Sequence, residues 1–267
     1  MALPTSAPQA HIDYLLHLAD NAVVLGQRNG EWCGHGPVLE EDIAMTNMSL
    51  DLIGQARMLY QHAATLIGDG ATEDRLAYFR DPHTFRNYTL LELPHHGALV
   101  GYAVDNRDYA ITIVRNFLYS SWMLLVWDRL QHSIDTQLAA IAAKSVKEVR
   151  YHIRHAGDWL VRLGDGTAES HEKTQAALNH LMPYTQEFWT DSDFESSVAT
   201  SGVGFPVGDL RATWEAQLQQ TLSEATLQWP TSTGFIPTGK QQVHSEHLSY
   251  LLEEMQSLAR RHAEGVW

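Results

Sequence analysis

Two long stretches of this chain repeat apolar or small residues at steps of three and four, and each stretch has one polar intruder on its inner stripe. The first reads Met45, Met48, Leu52, Gln55, Leu59, Ala63, Leu66, and the second Leu138, Ala142, Ser145, Val149, His152, Ala156, Trp159, Leu163. Such spacing predicts helices with a buried stripe. Gln55 and His152 each follow an apolar residue by three positions. Helical bundles that hold two metals in their core place Glu-x-x-His on two helices and one further Glu on each of two others. Here the corresponding slots read Leu52-x-x-Gln55 and Val149-x-x-His152. The pattern predicts an all-α four-helix bundle whose metal-binding carboxylates have been replaced.

The other two core helices supply no substitute. Positions 10–28 carry a stripe of Ile12, Leu15, Leu16, Ala19, Val23 and Gly26, with Asp13 and Asp20 as the acids. Positions 98–132 place Val114, Phe117, Ser121, Leu124 and Leu125 inward and contain no glutamate. A shifted register leaves open one zinc or iron ion on Glu148, His152 and Asp20, which is too small a set for two metals. The structural alternative is a buried hydrogen-bond pair or network around Gln55 and His152, since buried polar groups need partners. Additional C-terminal helices are expected at 169–189, 209–227 and 243–262, with 191–208 read as a polar link. The expected organisation is a disordered lead over residues 1–9 and one helical domain over 10–267. Its core bundle covers about 10–163 and its helical extension about 168–267. Sustained period-two alternation, glycine-rich phosphate loops and nucleophile elbows are all missing from the sequence.

Charge and cysteine content narrow the function classes. The 267 residues carry a formal net charge of −14, which argues against nucleic acid or an anionic membrane as the main partner. The single cysteine, Cys33, can close no internal disulfide. The apolar run 117–127 is far short of the roughly 20 residues that span a bilayer. Met1 to Pro8 has neither the basic nor the apolar region of a secretory signal, so a cytoplasmic location is expected.

Several further residues invite chemistry. Trp32, Cys33 and His35 lie in a glycine-rich link. Residues two apart in such a turn seldom face each other, so the expectation is a structured turn with Trp32 against the bundle, and a partner-contact role for Trp32 and His35 is left open. Glu40, Glu41 and Asp42 sit where a helix N-terminus favours acids. His95 and His96 are expected on the surface. Lys144, Lys147, Arg150 and Arg154 form a basic outer face, either solvated or a docking site for an anion or partner. His244, Glu246 and His247 lack the spacing of a zinc-protease motif and are read as packing or partner-contact residues.

Longer motifs then carry a resemblance. The runs Gly30-Glu31-Trp32-Cys33-Gly34-His35-Gly36-Pro37 and Leu50-Asp51-Leu52-Ile53-Gly54-Gln55-Ala56-Arg57 belong to it. So do Lys147-Glu148-Val149-Arg150-Tyr151-His152, Thr238-Gly239-Lys240 and His244-Ser245-Glu246-His247-Leu248. Together they resemble the C subunits of bacterial phenylacetyl-CoA epoxidases. The resemblance implies a ferritin-like bundle that pairs with a related di-iron catalytic subunit. That complex uses O₂ and electrons from an NADPH-linked reductase to epoxidise the aromatic ring during aerobic phenylacetate breakdown in the cytoplasm. It implies that the catalytic partner has Asp-Glu-x-Gly-His where this chain has Asp51 to Gln55, and Glu-Glu-x-Phe-His where it has Glu148 to His152. No catalytic residue and no cofactor therefore carry over to this chain. The readings set against this one are an active di-iron oxygenase and an accessory module that binds CoA or another anion. Homodimer formation by the chain alone is left open.

Overall fold

The computed structural model describes residues 8–96, 107–231 and 234–265. Most of the expected disordered lead lies outside these residues, although Gln9 is already helical. Ten α-helices are described, with short 3-10 turns between some of them, and there is no strand among the described residues beyond one antiparallel bridge, Thr238 to Val243. The fold is the expected all-α, ferritin-like bundle.

Helix α1 (Gln9–Gly30) and helix α2 (Leu39–Ile67) form one hairpin. Helices α5 (Tyr109–Leu130) and α6 (Thr136–Gly164) form the other, and the hairpins meet along α2 and α6. Short helices α3 (Glu73–Tyr78) and α4 (Thr89–Glu92) fill the crossover. Asp135 caps α6 by accepting from the Gln137 and Leu138 N–H groups, each at 3.0 Å. The third core helix begins at Tyr109, where Asp108 accepts from Ala110 N and sets the cap; the part of it expected at 98–106 is not among the described residues.

Two expectations were too narrow. Besides its predicted stripe, α1 buries His17, Asp20, Asn21 and Asn29, since α2 and helix α8 (Asp193–Ser201) cover it from different sides. Helix α5, at 22 residues, is long and apolar enough to cross a membrane by length and composition, in contrast to the short run read from sequence. Its most apolar window is 89 % buried inside the protein, so that apolarity serves the bundle core. Its Ser121 is satisfied by the Trp214 indole N–H at 2.9 Å.

The extension wraps the bundle. Helix α7 (Ala168–Leu181) lies on α5 and α6, then gives way to a 3-10 turn, Met182–Glu187, where Pro183 lacks the N–H an α-helix needs. The link expected at 191–208 contains helix α8 (Asp193–Ser201), which packs on α1. Ser192 and Glu195 form a reciprocal capping box, and Gly202 ends the helix at φ 82°, which favours glycine. Helix α9 (Arg211–Glu224) covers α5 and α6. Helix α10 (Glu246–Arg261) lies on α1, α3 and α4, and starts later than expected because Val243 is held in the bridge to Thr238.

A clasp of buried acids locks residues 239–245 onto the bundle. Glu92 accepts from Asn87 Nδ2 (3.0 Å), His244 Nδ1 (2.9 Å) and Ser245 N (2.5 Å). Glu187 accepts from Thr89 N (2.9 Å) and Lys240 N (2.6 Å). The buried Lys240 ammonium donates to Glu195 at 2.7 Å. Gly239 passes so close to this layer that a Cβ would stand 2.5 Å from the Asn87 carbonyl oxygen.

Candidate functional site

The substituted slots come together where the two hairpins meet, on α2 and α6. Leu52 and Val149, in the slots for glutamates, are each 2 % exposed and belong to the main apolar core. Burying a leucine there is worth roughly 1.5–3 kcal/mol, and an aliphatic side chain offers no metal ligand. Gln55 and His152 do not bond to each other. Gln55 Nε2 donates to Glu148 Oε2 at 2.9 Å, and His152 Nε2 faces Asp51 Oδ2 at 3.1 Å. The expected buried pair or network of Gln55 with His152 is not formed; each side chain instead makes its own part-buried cross-helix pair with an acid.

These pairs are part of a longer ladder down the antiparallel seam. Toward the start of α2, Glu41 Oε2 accepts from the Tyr109 hydroxyl at 2.5 Å and meets His155 Nε2 at 2.8 Å. Burial pushes the Tyr109 phenol far above its ordinary value, and the Glu41 hydrogen bond and charge add to the shift. Glu41, read from sequence as an acid favoured by the helix start, is buried. At the far end of the seam, His62 Nε2 meets Asp135 Oδ2 at 2.6 Å. Each rung joins an acid to a neutral or basic partner across the seam.

The ladder does not assemble the ligand set left open from sequence. Asp20 is taken by the Tyr60 hydroxyl at 2.6 Å, the Arg86 N–H at 2.8 Å and the Arg80 guanidinium. It is committed to these groups and not to Glu148 or His152. The donor set also fails to fit a two-metal centre. Two of the four slots are aliphatic, and their neighbours Asp51 and Glu148 are already paired on the more exposed side of the seam.

The remaining sequence candidates divide by exposure. Trp32 is buried, and its indole donates to Thr112 Oγ1 at 2.9 Å, so it serves the bundle and presents no surface to a partner. His35 stays exposed, with Nδ1 3.1 Å from the Cys33 carbonyl, and the Cys33 thiol is free and exposed. His244 is drawn into the clasp, with Nδ1 on Glu92 and Nε2 on the Phe85 carbonyl, both at 2.9 Å. Glu246 is exposed and His247 half-buried. His95, expected on the surface, is buried. It takes hydrogen bonds at Nδ1 from Thr112 (2.7 Å) and Arg115 (2.8 Å), and its Nε2 donates to the Arg28 carbonyl (2.9 Å). Burial, partly opposed by Glu31 and reinforced by Arg115, lowers its pKa to about 4, so the ring is neutral.

Outward of the seam, the surface combines two features. Helix α2 exposes Leu39, Ile43, Leu50 and Ile53, with Val38 just before it. These recur along one outer stripe of the helix. Helix α6 exposes Lys144, Lys147, Arg150 and Arg154. The Lys144 ammonium is 3.8 Å from Glu148, and Arg154 lies over the exposed Tyr151 ring at 5.8 Å.

A family model described as phenylacetic acid catabolic protein matches residues 1–267. The chain belongs to the phenylacetic acid catabolic protein family. Among known members, it is 43 % identical over 247 residues to the C subunit of 1,2-phenylacetyl-CoA epoxidase from Escherichia coli strain K12, covering 92 % of this chain and 95 % of that protein. The family assignment accords with the resemblance carried by the motifs at 30–37, 50–57 and 147–152. Those motifs map onto the first turn after α1 and onto the central turns of the two seam helices.

Proposed function

We propose that this chain is a non-catalytic structural subunit of a phenylacetyl-CoA epoxidase, acting in aerobic phenylacetate catabolism in the cytoplasm. In this reading it pairs with a di-iron catalytic subunit and, through it, joins the other components of an O₂- and NADPH-dependent complex. The single observation that carries the reading is the burial of Leu52 and Val149 in the slots where a catalytic relative needs carboxylates. The exposed apolar stripe of α2 supports it further. Exposed apolar surface suits protein association, and Leu39, Ile43, Leu50 and Ile53 recur on one outer face of the helix.

The test has two parts. Leu50→Glu together with Ile53→Glu is expected to abolish co-purification with the catalytic subunit while leaving the helical circular dichroism of the chain unchanged. Iron analysis of the reconstituted complex is expected to assign both iron atoms to the partner. Two iron atoms bound between α2 and α6 of this chain, or normal assembly of the double variant, would overturn the reading.

A second reading rests on the basic face. Four exposed cations on one side of α6, in a chain of net charge −14, suit the phosphates of a CoA ester. Titration with phenylacetyl-CoA decides it. Lys147→Glu with Arg150→Glu is expected to weaken binding at least tenfold, and no binding by the wild-type chain would remove this reading.

A further inference from the structure

His11, His62 and Asp135 converge at one end of the bundle. They come from the first turn of α1, the last turns of α2 and the N-cap of α6. His11 Nε2 lies 2.7 Å and His62 Nε2 2.6 Å from the same Asp135 oxygen, Oδ2. One ligand atom from each residue lies within 4.8 Å of the other two, and this is the sole such triad of histidine and acid ligands found among the described residues. The two rings stand nearly perpendicular, at 78°. The side chains of His11, His62 and Asp135 are 14 %, 11 % and 8 % exposed, so the cluster is sheltered yet reachable by water.

We propose that this triad is a mononuclear site for a divalent first-row transition ion, held by two imidazole nitrogens and one carboxylate oxygen, with water completing the shell. Two imidazoles and a carboxylate are a ligand set that zinc and neighbouring divalent ions accept. Metal–ligand bonds of about 2.0–2.2 Å in a tetrahedral shell separate the donors by roughly 3.3 Å. The rings therefore need to retreat from the carboxylate by only about 0.6 Å. Binding shifts each ring proton from Nε2 to Nδ1, leaving both Nε2 lone pairs for the ion. The carboxylate is held in orientation by its other oxygen, which accepts the Gln137 and Leu138 N–H groups. Burial works against its ionisation, but the hydrogen bonds from His11 and His62 and the cap outweigh it and keep Asp135 ionised.

The site is separate from the substituted di-iron slots. His62 is seven residues beyond Gln55, which places it about 10 Å further along α2. A bound ion would pin α1, α2 and α6 together at the end of the seam. This holds whether or not the chain is a subunit of an epoxidase.

The test uses the full-length chain without an affinity tag, stripped with a chelator. Calorimetric titration with zinc chloride alone is expected to give one ion per chain. Asp135→Asn, which retains an oxygen for the helix cap, and His62→Gln are each expected to weaken binding at least tenfold, whereas His83→Gln, an exposed histidine elsewhere, leaves it unchanged. Zinc is also expected to raise the melting temperature of the wild-type chain and not that of Asp135→Asn. Should a variant misfold, X-ray absorption of the zinc-loaded wild-type chain decides directly, with two imidazoles and one carboxylate expected in the shell. Absence of stoichiometric binding, affinity undiminished in folded Asp135→Asn and His62→Gln, or a shell without two imidazoles would overturn the site.

Discussion

The clasp around Glu92 and the seam between α2 and α6 use the same chemistry at different depths. In both, a carboxylate meets an imidazole, amide or ammonium across elements distant in sequence. In the clasp, the side chains of Glu92 and Glu195 are 0 % and 1 % exposed. In the seam, those of Asp51 and Glu148 are 37 % and 20 % exposed. A buried charge stripped of its partner is costly, whereas a pair that water reaches adds little. The clasp therefore carries the attachment of the C-terminal extension. The polar seam pairs add little, and the adjoining apolar side chains of Leu52 and Val149 supply the stability.

The largest effect is expected from breaking the clasp. Glu92→Ala leaves His244 and Asn87 without their acceptor and is expected to cost about 3–5 kcal/mol in urea unfolding. A loss below 1 kcal/mol would remove the contrast between the two regions. Next comes the core half of the seam: Leu52→Ala is expected to cost about 2–5 kcal/mol, read in the same way.

Acidity should separate the clasp from the bundle interior. His244 offers both ring nitrogens to acceptors, and the Glu92 bond and charge outweigh burial to raise its pKa. Burial raises Glu187 to about 7, partly opposed by its bonds to Lys240 and Thr89. Folded pKa values above the unfolded ones mean stability that is present at low pH and lost as pH rises through the folded values, from 4.5 toward about 7 for Glu187. His17 and His95 behave oppositely. Burial lowers each from 6.5 to about 4, so their contribution is present above 6.5 and lost as pH falls toward about 4. Hydrogen exchange, corrected for intrinsic rates, is expected to show residues 239–245 gaining protection between pH 7 and pH 5, relative to residues around His95. Parallel responses would refute the assignment. The smallest effect belongs to the polar pairs of the seam: Gln55 is buried but its partner Glu148 is 20 % exposed, so Gln55→Ala is expected to cost about 1 kcal/mol with assembly into the complex unchanged.

Much of this was legible in the sequence. The stripes through Leu52 and Val149 fall on the two seam helices, because the period agrees there with burial. The burial of Leu52 and Val149 was legible for the same reason. Helix α8 was missed although Ser192 and Glu195 spelled its capping box, since the glycines that follow favoured a loop reading. The rungs were out of reach for another cause: His152 and Asp51 are 101 residues apart, and His155 and Glu41 are 114. Local patterns contain no term for such pairings. Nothing in the local sequence marks Lys240 as buried, and only the fold reveals the acid it pairs with. The His11, His62 and Asp135 cluster draws one residue from each of three separate segments, so no spacing announced it.

The placement of Glu92 bears on how the chain is made. Its carboxylate lies about a third of the way along the sequence, while His244 and Ser245 emerge from the ribosome some 150 residues later. At synthesis rates of about 5–20 residues per second, that acid waits on the order of ten seconds for its partners. During that interval the nascent bundle holds an unfinished socket, and the closing stretch of polypeptide acts as the latch that completes it.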